Sequence, residues 1–469
     1  MIKDIRVRMA PSPTGKLHIG TARSALFNYL FAKNRNGKFI LRIEDTDLER
    51  SDLQFEKDVV ESLTWLGIEW DEFYRQSTRI EIYRKYLEKL LKEGLAYYCF
   101  CSEDELEMKR QEQMARGAAP KYNGKCKLFS EQETETKLAK GEKAIIRFKG
   151  PVKKIRFNDL IRGEIEFDSS LIGDFSIAKS LTSPLYNFAV VVDDFEMQIS
   201  HVIRGEDHIS NTPKQMLLQE ALGFSHPKYA HLPLILGPDK SKLSKRHGAV
   251  AVSDYRKEGY LPETINNFMA FLGWNPDTDR ESFLIKDLIK EFSLEKVQKS
   301  GAVFNIQRLD YLNGYYIRQK PIKELAVLCQ PYLPKTDSGY LEKIVAIYQE
   351  RLKKLSEIKE LADFFFKYIP EYDKELLTWK GMDDKELEKT LCKVNNILCK
   401  ITEAEWTKEN LNNALMPEAE KTGDRGRLLW PLRVALTGKK ASAGPFEIAE
   451  ILGKEKTLFR IKKAIELLR

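Results

Sequence analysis

Two short runs of the chain carry residues that could hold the phosphates of a nucleotide. Residues 7–22 read VRMAPSPTGKLHIGTA, which combines the end of a strand, a Pro/Gly turn and the start of a helix that carries His18. Residues 240–248 read KSKLSKRHG, in which Lys242, Lys245 and Arg246 lie around Ser244. A helix start presents unpaired backbone N–H groups to an anion, and the lysines supply positive charge. Together the two runs indicate a phosphate-binding site.

The first run contains two residues suited to a nucleotide. From Leu17 onward, apolar residues recur at helical spacing, which predicts a helix that begins near Gly20–Thr21. Gly20 lets a flat base or a phosphate approach the backbone closely. His18 could donate a hydrogen bond to a phosphate oxygen. A single histidine is more often a structural residue, but the Gly-rich turn and the helix start favour a functional role here.

The two runs resemble the two signature motifs of class I aminoacyl-tRNA synthetases. Thr21 stands where the first signature usually has its second His, and the segment from Arg8 to Gly15 matches the glutamyl subgroup. In the second run, KLSKR departs from the usual motif at Leu243 and Arg246. The order and separation of the runs make the pair a strong signal. Over essentially its whole length, the chain resembles the bacterial type of glutamyl-tRNA synthetase.

This resemblance implies an ATP site made from both runs. The residues that it places in contact with ATP are His18, Gly20, Lys242, Ser244, Lys245 and Arg246. It gives a catalytic role to His18, Lys242 and Lys245, the lysines neutralising pyrophosphate as charge develops. Positioning and stabilisation of phosphate charge suffice for this chemistry. Mg²⁺ would arrive with ATP and keep most of its waters, so we expect no dedicated carboxylate cage.

The implied reaction activates L-glutamate with ATP to a glutamyl-adenylate and transfers it to the 3′ end of tRNA-Glu. Whether tRNA-Gln is also charged stays open. A substrate with two carboxylates needs fixed guanidinium partners. Arg8 and Arg204 end strands of one expected sheet and could face one crevice. The resemblance implies that both arginines contact glutamate and that Glu44 binds the ammonium group of the substrate. The remaining pocket residues that it implies are Ala10, Ser12 and Tyr186. Val190 stands where some relatives have Asn.

Three cysteines in the middle of the chain suggest a metal site. Cys99 and Cys101 are followed by Tyr122 and Cys126, and three thiols with one phenolate oxygen could form a tetrahedral zinc site. The pattern is weak in isolation, but zinc-bearing relatives show it in the same insertion. Other relatives place a His where this chain has Leu128, which leaves Tyr122 as the better fourth ligand. We expect a structural Zn²⁺; the alternative is reduced cysteines beside a core tyrosine.

Composition sets broad limits on the chain. Its 469 residues are too many for one domain, and a net charge of +7 permits a polyanion partner without requiring one. No apolar stretch approaches the ~18 residues of a membrane span, so we expect no membrane partner. The six unevenly spaced cysteines are typical of reduced thiols, which predicts a cytoplasmic protein. We expect a monomer.

The fold class predicted is α/β with an all-α C-terminal part. Alternating strands and helices, interrupted by an α+β insertion, indicate a split Rossmann-type parallel sheet. Residues 186–195 and 197–208 are expected to resume that sheet, with Asp193 and Asp194 at a strand end in a structural role rather than as metal ligands. After about Asp254 the pattern is almost purely helical, including SLEKVQKSGAVF (293–304). The predicted domains are 1–98 with 184–252 (catalytic), 99–183 (acceptor-stem insertion), 253–318 (helical stem contact) and 319–469 (all-α anticodon binding, in two subdomains).

The C-terminal region also offers candidate RNA contacts. Two basic runs, RLKKLSEIK (351–359) and RGRLLWPLR (425–433), are read as basic helix faces, which are more often solvated than bound to a partner. In the family an arginine in the segment that matches RLKKL reads the third anticodon base, which makes Arg351 a candidate.

Four alternative functions agree less well with the sequence. A glutaminyl-tRNA synthetase would carry β-barrel anticodon domains, whereas the pattern after Tyr316 is helical. The shortened paralogue that glutamylates a tRNA base ends soon after the second motif, whereas this chain continues well beyond it, to residue 469. A non-catalytic RNA-binding relative should have lost His18, Lys242 or Lys245, which are all present. A small nucleotidyltransferase with a similar His-Gly turn would be far shorter.

Overall fold

The structure is a computed structural model that describes residues 4–47, 49–244, 246, 248 and 250–469. The chain divides into two compact units. The first consists of Met1–Arg256 and Pro262–Leu309, and the second of Lys257–Leu261 and Asp310–Arg469. Within the described residues, no helix has the length and apolar character needed to cross a membrane.

The strands all lie in the first unit. Their bounds are β1 Arg6–Met9, β2 Lys38–Ile43, β3 Glu72–Arg75, β4 Ala96–Cys99, β5 Ile145–Phe148, β6 Lys154–Asp159, β7 Gly163–Asp168, β8 Phe175–Ser180, β9 Ser183–Pro184, β10 His201–Gly205, β11 Lys228–Leu232, β12 Ile235–Leu236 and β13 Ala302–Val303.

The helices are distributed over both units. Their bounds are α1 Ile19–Asn34, α2 Leu53–Trp65, α3 Ile80–Lys92, α4 Glu103–Ala115, α5 Glu131–Ala139, α6 Tyr186–Glu196, α7 Thr212–Leu222, α8 Val252–Glu258, α9 Pro262–Phe271, α10 Ile285–Glu291, α11 Ile306–Gln319, α12 Ile322–Cys329, α13 Ser338–Ala346, α14 Ile358–Ala362, α15 Asp384–Cys399, α16 Lys408–Glu420, α17 Gly426–Thr437, α18 Pro445–Leu452 and α19 Lys454–Leu468.

The first unit is built on parallel strands in two neighbouring groups. One group has the order β1-β2-β3, and the other has the order β10-β11-β6-β7, in which only the β6–β7 pair is antiparallel. The groups meet where the Ser200 backbone N–H donates to the Arg6 carbonyl at 2.9 Å. The carboxyl ends of β1 and β10 therefore lie side by side, at the edge where such sheets bind ligands. The predicted split parallel sheet is confirmed.

Helix α1 covers this junction. Its residues are apolar on several faces, and Ala22, Leu26 and Leu30 are fully buried. The Asn28 side-chain amide donates to the Ile203 carbonyl at 2.9 Å, which joins the helix to β10. The helix begins at Ile19, close to the predicted start.

The middle of the chain forms its own antiparallel sheet with the order β4-β5-β8-β9. The predicted strand in AIIRFK is β5. The hairpin β6–β7, however, joins the parallel group, because Asp159 of β6 pairs with Tyr229 of β11. The segment expected as an insertion thus contributes to the sheet beside the cleft.

Two predictions from apolar patterning were wrong. Residues 186–196 form a helix, so Asp193 and Asp194 lie in the last turn of α6 and not at a strand end. The strand prediction failed because every residue from Phe188 to Asp194 is buried. The apolar pattern of such a segment repeats neither every two residues, as in a half-buried strand, nor every 3.6 residues, as in an amphipathic helix. In SLEKVQKSGAVF only a short 3-10 turn and the short strand β13 form.

The second unit is all-α, as predicted, although one of the two basic runs is not a single helix. Helices α12 to α19 share a core that includes Leu391, Leu411, Leu432 and Ile461. RGRLLWPLR lies largely in α17. RLKKLSEIK is not one helix: its first residues form a turn, and a helix begins only at Ile358.

Candidate functional site

A cleft of about 490 Å³ lies at the carboxyl ends of β1 and β10. It brings together residues of both runs with the arginines of the two strands. Of the residues predicted from the sequence, it is lined by Arg8, Ala10, Ser12, His18, Gly20, Glu44, Tyr186, Arg204 and Lys242. Its wall also includes Asp207 and His208, which sequence reasoning did not single out.

His18 caps the helix that opens onto the cleft. Its Nδ1 accepts the Gly20 backbone N–H at 3.0 Å, because that N–H can only donate. Burial, followed by the nearby charge of Lys242, lowers the pKa of His18 below its ordinary value. The ring is therefore neutral at pH 7, and its proton is on Nε2. That leaves Nε2–H as a donor for an anion in the cleft.

The second run is only partly described. Lys242 lines the cleft, and its Nζ lies 3.0 Å from Asp207 Oδ2. The Leu243 backbone N–H donates to the Ile235 carbonyl at 2.9 Å, which ties the loop to β12. Ser244 and Arg246 do not line the cleft; Arg246 donates to Asp239 Oδ2 at 3.1 Å. Lys245 lies outside the described residues.

The two predicted pocket arginines differ in their partners. Arg8 donates from Nε to Asp194 Oδ1 at 3.1 Å and from Nη2 to Oδ2 at 3.3 Å. Arg204 donates to His231 Nε2 at 3.2 Å and to Thr212 Oγ1 at 2.9 Å, and neither partner is a carboxylate. Its third nitrogen, Nη1, is buried with no hydrogen-bond partner among the residues that the structure describes. The positive charge of Arg204 is therefore available to an anion in the cleft.

Glu44 belongs to a buried ion network beneath the cleft. Arg42 donates to Glu44 Oε1 at 3.0 Å and to Asp194 Oδ1 at 2.8 Å, and its side chain is fully buried. Burial raises the pKa of Glu44, and the charge of Arg42 opposes that rise. Asp193 Oδ2 lies 3.7 Å from Arg42 Nε, which joins it to the same network, and Asp193 also accepts from Arg79 at 2.7 Å. Arg42 was missed, although its spacing of two from Glu44, the residue that follows β2, was a signal for a shared face.

Tyr186 lies at the start of α6 and reaches the opposite wall of the cleft. Its hydroxyl is 3.1 Å from His208 Nδ1, and the two rings are 5.8 Å apart. Burial lowers the pKa of His208 to about 4, so this imidazole is neutral at pH 7. The pair adds polar but uncharged groups to the lining of the cleft.

The predicted metal ligands come together away from the cleft. The Sγ atoms of Cys99, Cys101 and Cys126 all lie within 4.8 Å of one another. The Tyr122 hydroxyl is 3.4 Å from Cys99 Sγ and 3.5 Å from Cys101 Sγ, and Cys101 and Cys126 are 3.6 Å apart. Around a tetrahedral Zn²⁺, sulfur atoms would be separated by about 3.8 Å and sulfur and oxygen by about 3.5 Å. These three separations are compatible with a metal site.

Arg351 is exposed in the second unit. It follows α13, and its Nη1 donates to the Ser442 carbonyl at 2.7 Å. This contact does not by itself indicate a ligand.

Comparison with known proteins identifies the family of the chain. The family described as "tRNA synthetases class I (E and Q), catalytic domain" matches residues 4–311, about two thirds of the sequence. The chain belongs to this family. A second family, "Anticodon binding domain", matches residues 324–465 of the same synthetase.

Relatives of this class I synthetase align over nearly its full length. It is 47% identical to glutamate–tRNA ligase 1 of Caldicellulosiruptor saccharolyticus, over 98% of each chain. It is 46% identical to the glutamate–tRNA ligase of Carboxydothermus hydrogenoformans, over 97% of this chain and 99% of that one.

A solved structure shows the same fold. The glutamate tRNA ligase of Elizabethkingia meningosepticum, crystallised in complex with its amino acid, is 34% identical with a TM-score of 0.88 and full coverage of both chains.

Proposed function

We propose that this class I synthetase is a glutamate–tRNA ligase, which activates L-glutamate with ATP and transfers it to tRNA-Glu. The observation that carries the proposal is the cleft, in which a helix start with His18 and the ammonium of Lys242 face the buried charge of Arg204. The names of the relatives point to the same reaction. ATP, Mg²⁺, glutamate and tRNA-Glu are the corresponding reactants and cofactor.

In the first step, an α-carboxylate oxygen of glutamate forms a bond to the α-phosphorus of ATP, and the bond from that phosphorus to the bridging oxygen breaks. The bonding electrons leave with pyrophosphate. His18 Nε2–H and the backbone N–H groups at the start of α1 hold the nucleotide. Lys242 and Lys245 stabilise the charge that accumulates on the leaving group. Ser244 and Arg246 complete the phosphate-binding loop when it closes. Mg²⁺ enters with ATP and supplies charge compensation on the phosphates.

In the second step, the 2′-hydroxyl of the terminal ribose of tRNA attacks the carbonyl carbon of the adenylate. The ester forms, and the bond to the AMP oxygen breaks. The protein provides no covalent nucleophile in either step; its residues position the reactants.

Selection of glutamate follows from the arginines. Arg204 binds the side-chain carboxylate, Arg8 lies beside it, and Glu44 accepts the substrate ammonium, while Ala10, Ser12 and Tyr186 shape the pocket. Glutamine would leave Arg204 buried without a negative partner, which costs several kcal/mol. Aspartate is one methylene shorter, which is worth only ~1–3 kcal/mol by size alone. The fixed position of the arginine must supply the rest.

The remaining parts of the chain receive roles in the same proposal. Residues 99–183 contact the acceptor stem and hold a structural Zn²⁺ on Cys99, Cys101, Tyr122 and Cys126. Residues 253–318 contact the stem, and residues 319–469 bind the anticodon, with Arg351 as a base-reading candidate. The enzyme acts as a monomer. Charging of tRNA-Gln is the second candidate activity, and it depends on the anticodon contacts.

Pyrophosphate exchange with each amino acid, with and without tRNA-Glu and tRNA-Gln, tests the proposal. We expect exchange that depends on glutamate when tRNA-Glu is present. Absence of that exchange would refute the function. Transfer of glutamate to tRNA-Gln in the same preparations would establish relaxed specificity.

A further inference from the structure

Arg204 is held by two uncharged groups, and one of them is itself held by a carboxylate. Arg204 Nε donates to His231 Nε2 at 3.2 Å. On the other side of the ring, His231 Nδ1 lies 2.6 Å from Asp159 Oδ2. His231 and Asp159 are fully buried at their side chains, and neither lines the cleft. The three residues form a chain from the hairpin β6–β7 to the floor of the cleft.

The chemistry of the neighbours determines the tautomer of His231. A guanidinium nitrogen can only donate, so Nε2 of His231 must be an unprotonated acceptor. The proton of the neutral ring is therefore on Nδ1, where the Asp159 carboxylate accepts it. Thr212 Oγ1, which accepts from Arg204 Nη2 at 2.9 Å, is also 3.2 Å from the same Nε2. Arg204 is thus fixed through two of its three nitrogens, and its third, Nη1, is the one without a partner among the described residues.

Asp159 is itself rigidly placed. Its Oδ1 accepts the backbone N–H groups of Ile161 at 3.0 Å and Arg162 at 2.9 Å, and its Oδ2 also accepts the His231 backbone N–H at 3.1 Å. These contacts leave no freedom for the carboxylate to turn away from the imidazole. An amide in its place can keep Oδ1 as the acceptor for Ile161 and Arg162 while its NH₂ group faces His231, whose backbone N–H then has Oδ1 as its acceptor, 3.3 Å away.

We propose that Asp159 and His231 are positioning residues for amino-acid selection: they hold Arg204 so that Nη1 faces the side-chain carboxylate of the substrate. The inference rests on the proposed function, since it assigns a support to the arginine that binds glutamate. A support of this kind acts on substrate binding and discrimination, while the phosphate chemistry at His18 and Lys242 is left as it is.

Two substitutions at one position separate this role from simple packing. In His231→Gln, the amide oxygen replaces Nε2 and still accepts from Arg204, but the contact with Asp159 is lost. In His231→Asn, the amide nitrogen replaces Nδ1 and still donates to Asp159, but Arg204 loses its acceptor. Asp159→Asn is expected to move the ring proton to Nε2, where it opposes the Arg204 N–H. The exposed His226 provides a matched control, His226→Asn.

Pyrophosphate exchange in the presence of tRNA-Glu measures kcat and KM for glutamate and ATP in each purified variant. We expect His231→Asn and Asp159→Asn to raise the glutamate KM roughly tenfold or more, since each loses a hydrogen bond to a charged group. The KM for ATP should not change, and His231→Gln should remain closer to the parent enzyme. Nitrogen-15 NMR of labelled histidine should show a neutral ring protonated at Nδ1 in the parent and at Nε2 in Asp159→Asn.

The outcomes are distinct. A parent enzyme without glutamate-dependent exchange would refute the proposed function and this inference together. An active parent in which His231→Asn keeps the parental glutamate KM, or in which His231→Gln is the more damaged variant, would overturn the positioning role alone. Thermal unfolding of each variant identifies loss of fold; if His231→Asn unfolds, the His231 tautomer in the parent and the Asp159→Asn kinetics decide the question.

Discussion

The guanidinium of Arg8 lies against the carboxylate of Asp194, with both Nε and Nη2 as donors, 186 residues away in sequence. Asp194 also accepts from Arg42, so one buried carboxylate compensates two arginines. Arg204, in the same cleft, has no carboxylate within salt-bridge distance among the described residues. Arg23, the third arginine that lines the cleft, donates to the backbone carbonyls of Leu272 and Pro233. Arg8 is therefore compensated by a carboxylate, whereas Arg204 keeps a nitrogen without a partner among the described residues and can attract an anionic substrate.

Asp194→Asn should destabilise the first unit in a pH-dependent manner. Burial alone would raise the pKa of Asp194, but Arg8 and Arg42 outweigh it and hold the pKa below 3.8. A lowered pKa stabilises the fold above pH 3.8, and that contribution is lost as the pH falls through the folded value. We expect a loss of about 3–5 kcal/mol at pH 7, because the buried Arg8 loses its carboxylate partner and the buried Arg42 loses one of its partners. Urea unfolding at several pH values measures the difference in the free energy of unfolding between Asp194→Asn and the parent.

The difference between Asp194→Asn and the parent should shrink as the pH falls below 3.8. Glu88→Gln is the control, because its pair with Arg84 is exposed and should contribute little. A difference in unfolding free energy that stays constant down to pH 2 would contradict the assignment.

Lys242→Ala should lower kcat for glutamate activation by roughly 10²–10³-fold, as loss of one preorganised charge does at other sites. Its ammonium stabilises charge that develops on pyrophosphate, so the glutamate KM should change little. Lys245→Ala should behave in the same way. Steady-state pyrophosphate exchange checks both variants, with Lys240→Gln in the same loop as control. An effect confined to KM would argue against a role in the transition state.

Cys99→Ser should abolish zinc binding by the cysteine cluster. The parent is expected to carry about one equivalent of Zn²⁺, because three thiolates and a phenolate complete a tetrahedral set. Tyr122→Phe tests the fourth ligand and should weaken binding without removing the thiolates. Metal analysis of the purified proteins gives the answer, with the exposed Cys399→Ser as control. Equal metal content in Cys99→Ser and the parent would rule out the site.

Arg460→Met should destabilise the second unit. The buried guanidinium donates to the carbonyls of Leu436, Phe364, Lys367 and Tyr368. Its removal deprives each of these carbonyls of a buried, charged donor, at a cost of roughly 3 kcal/mol or more. Denaturant unfolding should show the loss, whereas Arg469→Met, which removes an exposed pair with Glu388, should be nearly neutral. Equal stability of the two variants would refute the structural role.

Local patterns predicted much of the fold because their information lies within a few residues. The strand that carries Arg8, the turn after it and the helix that begins at Ile19 follow from alternation, Pro/Gly punctuation and helical spacing. The same reasoning failed for Tyr186–Glu196, where burial on most sides removes the periodicity that distinguishes a helix from a strand.

The partners of the site residues could not be predicted in this way. Asp194 lies 152 residues from Arg42, and Asp159 lies 72 residues from His231, so no local spacing connects them. The burial of Arg42 and the unpartnered Nη1 of Arg204 likewise appear only when the strands are assembled.

By itself, the sequence determined which chemical groups the protein has and in what order: a phosphate-binding turn, a lysine loop, two arginines at strand ends and a cysteine cluster. Only the tertiary structure decided which of those charges are neutralised and which are left to a ligand. The reason is physical: the energy of a buried charge depends on its distance from other charges and on its removal from water, and both are set by packing.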